Sequence, residues 1–96
     1  ADPVNYGVLI VLSRSEHGTM GITNLSAGVR RLFLRNPPAF FQVHDAVSVL
    51  TSNRLVESEK GIERVEITQF GRDSIRIFQE ITTELSNLLD ALYPEE

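Results

Sequence analysis

Pro38-Ala39-Phe40-Phe41-Gln42-Val43-His44-Asp45-Ala46-Val47-Ser48-Val49-Leu50-Thr51-Ser52-Asn53, followed by Arg54-Leu55-Val56, is the stretch around which the rest of the chain is organised. Phe40, Val43, Val47 and Leu50 recur at spacings of three and four, which places them on one stripe of a helix and predicts that they face the core. Asn36-Pro37-Pro38 marks the start: Pro38 suits a first helical turn, whose N–H needs no partner, and Asn36 is a candidate cap. The opposite face carries Phe41, Gln42, Asp45, Ser48, Val49 and Ser52, with His44 to one flank, and it has no Lys or Arg.

Working backwards, Tyr6–Ser13 is almost continuously apolar and reads as a mostly buried helix over Asn5–Ser13, with the polar Arg14–Gly18 as its stop. Ala1-Asp2-Pro3 is set apart as a possible added or processed start. Thr19–Arg35 then repeats helical spacing through Ile22, Leu25, Val29 and Leu32 or Phe33, and Gly28 inside it costs about 1 kcal/mol relative to Ala. Its C-terminal end bears Arg30, Arg31 and Arg35, where cations suit the helix dipole and are also available to phosphates. Asn36-Pro37 breaks this helix, because a residue before proline is pushed out of the α region.

Working forwards, the period changes. From Glu63 polar and apolar residues alternate, and Lys60-Gly61 is a turn signal, so Leu55–Ile67 reads as a β-hairpin with Lys60 at the tip and Arg64 facing outward beside Glu63 and Glu66. Thr68 reads as the N-cap of a last helix. In that helix Ile75, Phe78, Thr82, Leu85, Leu89 and Leu92 follow an a/d heptad spacing broken once by Thr82, with Ile81 and Leu88 widening the stripe, and Tyr93-Pro94 ends it. So much apolar surface on the terminal helix of a short chain predicts pairing with a second copy.

Composition narrows the function classes. With 96 residues, 42% hydrophobic and 23% charged, the chain has the make-up of one globular domain, residues 1–96, rather than of a disordered or fibrous protein. Its longest apolar run, Val8–Leu12, is far short of the roughly 20 residues that span a membrane, so no membrane segment is expected. Without cysteine there is neither a disulfide framework nor a thiolate metal site, and a cytoplasmic setting is the default expectation. The net charge of −4 is unevenly spread. Residues 1–56 carry Arg14, Arg30, Arg31, Arg35 and Arg54 against Asp2, Glu16 and Asp45, a balance of +2, whereas residues 57–96 set four cations against ten carboxylates, a balance of −6. This is the pattern of a basic working half joined to an acidic, solvated helix. His17 and His44 stand in no metal-pair or triad spacing, and Gly18-Thr19-Met20-Gly21 lacks the Lys-Ser/Thr of a phosphate loop, so catalysis, metals and cofactors are not expected.

Helix, helix, turn, helix, hairpin, helix is the order of a winged helix-turn-helix domain, and the chain resembles winged-helix regulators of the MarR and PadR type. The resemblance rests on Glu16-His17-Gly18 before the second helix, on Val49–Val56 as the end of a recognition helix leading into the wing, with Asn53-Arg54 where glycine is usual, and on Arg64-Val65-Glu66-Ile67-Thr68-Gln69-Phe70-Gly71-Arg72 as the exit from the wing into a dimerisation helix. It spans roughly residues 5–92. It implies a mainly α fold with a small β-hairpin: a winged-helix core over about 5–68 and a dimerisation helix over 69–93. The implied function is a dimeric, repressor-like transcriptional regulator recognising a pseudo-palindromic double-stranded DNA site. Ala39, Gln42, His44, Asp45 and Ser48 would then enter the major groove, with Gln42 suited to adenine and Asp45 to the cytosine amino group. Arg30, Arg31, Arg35 and Arg54 would hold phosphates, and Lys60 and Arg64 would reach the backbone from the wing. The cation-free face of the third helix keeps a second reading open, a winged-helix protein-interaction module (an anti-repressor or assembly subunit) in which Phe41, Val49 and Asp45 dock a partner protein.

Overall fold

A computed structural model describes residues 2–59, 61 and 63–92. Its elements run α1 (Pro3–Arg14), β1 (Thr19–Gly21), α2 (Ile22–Leu32), α3 (Phe40–Ser52), β2 (Val56–Glu59), β3 (Arg64–Ile67) and α4 (Gln69–Leu92). The expected mainly helical α+β architecture is present. Lys60, Ile62 and the Tyr93-Pro94 stop lie outside the described residues.

The first helix begins earlier than the expected Asn5: the Asp2 carboxylate accepts the Val4 N–H at 2.8 Å and Pro3 occupies the first turn, an N-cap and N1 pair. Thr19–Arg35 is not one helix. Thr19, Met20 and Gly21 form a strand opposite Glu66, Val65 and Arg64 of β3, and α2 begins only at Ile22 and ends at Leu32, leaving Arg35 in the turn. Pairing with a strand more than forty positions away overrides the local helical spacing. The hairpin therefore sits in a three-stranded antiparallel sheet of order β1-β3-β2.

The core joins Val8, Leu9 and Leu12 of α1, Leu25 and Val29 of α2, Val43, Ala46, Val47 and Leu50 of α3, Val56, Val65 and Ile67 of the sheet, and Ile75 of α4. The alternation read from Glu63 onward is realised: Val65 and Ile67 point inward, Arg64 and Glu66 outward. Gly28 has a packing reason, since a Cβ there would lie 2.9 Å from Cγ1 of Val11 where α1 and α2 cross. Pro38 is not in α3, and Asn36 does not cap it. The N-cap is Ala39, whose N–H donates to Oε1 of Gln42 at 2.6 Å, the return half of a capping box. Phe40 was expected in the core but is 48% exposed, its ring packed 4.4 Å from that of His44. Ala46 takes the inward position instead.

Candidate nucleic-acid interface

The end of α3 fixes the geometry of the site. Arg54 adopts φ 61°, the left-handed region, directly after the Asn53 cap. The Arg54 N–H donates to the Thr51 carbonyl at 3.1 Å and the Leu55 N–H to the Leu50 carbonyl at 2.9 Å, which together make a Schellman motif with arginine where glycine is usual. The chain then turns into β2. Thr68, at the far end of the hairpin, locks this corner: its hydroxyl lies 2.8 Å from the Arg54 carbonyl oxygen and 3.0 Å from that of Leu55, and it accepts the Gly71 N–H at 3.0 Å, capping α4 as expected. Any Cβ on Gly71 would collide with the Leu55 carbonyl oxygen, so the first turn of α4 can approach the corner only with glycine there. The Thr-x-x-Gly exit from the hairpin is thus the clasp between α3, the hairpin and α4.

With Val43, Ala46, Val47 and Leu50 turned inward, Phe41, Asp45, Ser48 and Ser52 occupy the opposite side of α3, and all four are exposed. Ala39 is exposed at the N-cap. Gln42 lies on one flank, its carbonyl oxygen committed to the Ala39 N–H. His44 lies on the other, half-buried, with Nε2 buried and without a hydrogen-bond partner. The outward stripe is therefore aromatic, acidic and hydroxyl-bearing, and two of the side chains picked from sequence as base readers are partly occupied elsewhere.

The arginines are dispersed. Arg30, Arg31, Arg35, Arg54 and Arg64 are all exposed, and none is within ion-pair distance of a carboxylate among the described residues. Arg31 shares a groove with Arg14, Ile10, Val11 and Met20 between α1 and α2, away from the outward stripe of α3. On the wing Arg64 stands opposite Glu59, while Glu57 stands directly opposite Glu66. The described part of the wing is more acidic than α2, and its register sets two of the carboxylates, Glu57 and Glu66, face to face.

Along α4 only Gly71 and Ile75 are buried. Ile75 is 5% exposed and taken up by the chain's own core, and Phe78 packs its ring 4.6 Å from Tyr6 of α1. Beyond that contact Phe78, Ile81, Leu85, Leu88 and Leu92 form a continuous exposed seam at spacings of three and four, flanked by Ile77 and Leu89, all between 44% and 62% exposed. Thr82 lies beside the seam and donates its hydroxyl to the Phe78 carbonyl at 2.8 Å. Among the described residues no three His, Cys, Asp or Glu side chains gather as a metal site, and no helix is long and apolar enough to cross a membrane.

No protein-family model matches the chain. No curated protein matches it either. Among solved structures it is similar to Sco5413, a MarR family transcriptional regulator from Streptomyces coelicolor, with a TM-score of 0.72 at 21% identity over 91% of this chain. The chain spans 58% of the length of that protein. With the element order and the clasped hairpin described above, this likeness shows that the chain has the winged helix-turn-helix fold.

Proposed function

We propose that the protein is a sequence-specific double-stranded-DNA-binding regulator, repressor-like, acting in the cytoplasm as a homodimer on a pseudo-palindromic site. The observation that carries this reading is electrostatic: in a winged-helix fold, the stretch from His17 to His44 contains no carboxylate and presents Arg30, Arg31 and Arg35 exposed and without ion-pair partners among the described residues. The fold it shares with a MarR family transcriptional regulator supports the same reading. Residues 1–96 work as one winged-helix unit, with about 5–68 as its core and 69–93 as the dimerisation helix.

In this reading Arg30, Arg31, Arg35 and Arg54 neutralise phosphates, and Lys60 and Arg64 approach the backbone from the wing. Ala39, Asp45 and Ser48 face base edges, Gln42 offers its amide N–H₂ from the flank, and His44 backs the stripe. The seam of α4, with Phe78, Leu85, Leu89 and Leu92 supported by Ile81 and Leu88 and bordered by Thr82, joins two copies. With Ile77 included, its seven half-exposed apolar side chains would hide roughly 60–100 Å² each, about 400–700 Å² per copy, approaching the ~800 Å² per partner of a standard interface.

A salt titration against duplex DNA tests the proposal. The Arg30→Ala/Arg31→Ala variant is expected to bind more weakly and to reduce the slope of log affinity against log salt by about two. Binding that is undetectable at low salt, or a variant with unchanged affinity and slope, overturns it. The second reading, a protein-interaction module docking its partner on Phe41, Val49 and Asp45, is favoured by the absence of Lys and Arg from α3, and it predicts no duplex binding in the same titration.

A further inference from the structure

We infer, resting on the duplex-binding reading, that Phe41 is a specificity-determining residue that reads the methyl group of a thymine, next to or one step from a cytosine read by Asp45. Phe41 is 65% exposed, stands in the first turn of α3 and lies on the side of the helix opposite its buried residues. Its neighbour Phe40 is different, because that ring is engaged with His44. A phenyl ring on the outward face of a helix in the major groove can form no hydrogen bond, and the one apolar feature that base edges display there is the thymine methyl.

The surrounding chemistry points the same way. The side chain best suited to adenine, Gln42, has its carbonyl oxygen held by the Ala39 N–H at 2.6 Å, which removes the acceptor half of a bidentate contact. Asp45 is the sole carboxylate between Glu16 and Glu57. Amid phosphates a carboxylate is repelled unless it accepts from a base, and the cytosine amino group is the donor it suits. Phe41 and Asp45 are four residues apart, about 6 Å along the axis, against roughly 3.4 Å between stacked bases, so their targets are adjacent or one base apart. Thymine methyl and cytosine amino groups both belong to pyrimidines. The stripe therefore reads one thymine and one cytosine in neighbouring base pairs, leaving affinity to the arginines of α2 and the turn.

The test begins with duplexes selected from a random library by the full-length chain. Each thymine of the recovered site is then replaced by deoxyuridine, which keeps every hydrogen-bonding group and removes only the methyl. At one thymine per half-site the replacement is expected to weaken binding by the wild type about fourfold, the effect of re-exposing one methyl-sized group, and to leave Phe41→Ala unaffected, with Phe41→Leu between the two. Circular dichroism of both variants checks that this exposed position leaves the fold unchanged. Duplex binding that is insensitive to deoxyuridine at every position overturns the assignment while the DNA-binding reading stands. Tighter binding to single strands than to duplex, the signature of base stacking on Phe41, also overturns it. Failure to recover or bind any duplex at low salt overturns the DNA-binding reading itself.

Discussion

The hydroxyl of Thr68 lies 2.8 Å from the carbonyl oxygen of Arg54, fourteen positions earlier in the chain, and this contact joins the end of α3 to the start of α4 across the root of the wing. Thr68→Ala removes the hydroxyl from that corner and from the Gly71 N–H together, and is expected to cost about 1–2 kcal/mol in urea unfolding. Thr68→Ser should recover most of it. An alanine variant as stable as the wild type would show that the corner is held by other contacts.

Gly71→Ala should be more damaging than Gly28→Ala, although both place a methyl on a helix. The methyl at position 71 meets the Leu55 carbonyl, a backbone atom that cannot swing away, and the expected loss is about 2–3 kcal/mol. At position 28 it meets the side chain of Val11, and the roughly 1 kcal/mol gained in helix propensity offsets the crowding. Midpoints of urea unfolding for the two variants decide the order.

Arg54→Gly separates stability from binding. Relieving the left-handed backbone of a residue with a Cβ is expected to raise stability by about 1 kcal/mol. If Arg54 holds a phosphate, the same change lowers duplex affinity and the salt slope falls by about one. Stability and affinity moving in the same direction would refute one half of this expectation.

Glu66→Lys converts the like-charged pair with Glu57 into an opposite one across the hairpin. The expected gain is about 0.5 kcal/mol in unfolding free energy, diminishing in high salt. On the DNA reading it also tightens duplex binding at low salt.

On the α4 seam, Leu85→Glu is expected to abolish self-association in light scattering while leaving the thermal transition of the domain in place, because Leu85 is exposed in the single chain. Thr82→Ala should leave the mass unchanged, since that hydroxyl is bonded within its own helix. A wild type that remains monomeric at high concentration would remove the dimer from the proposal.

The helices α1, α3 and α4 and the hairpin were legible because their signals are local: apolar residues every third or fourth position, proline breaks and a two-residue alternation. β1 was not, because three residues carry no period of their own and Thr19–Gly21 becomes a strand only through its pairing with β3. Phe40 fell on the predicted stripe, yet it stands in the first turn, beyond the reach of the core, and Ala46 fills the inward face. The arginines were visible as charges. That Arg31 belongs to the α1 groove, that Gln42 is committed to the N-cap and that Glu57 confronts Glu66 are matters of register and rotamer that spacing alone does not encode.

The pairing of β1 with β3 has a kinetic corollary. Thr19 meets Glu66, so α2, α3 and the wing are all enclosed in a single loop whose two ends must find each other before the sheet can close. The entropy of closing such a loop is met before its contacts are gained, which places this step late, after the helices have formed. Substitutions in β1, such as Met20→Ala opposite Val65, should therefore accelerate unfolding more than they slow refolding, and the domain would open first by parting this one short seam.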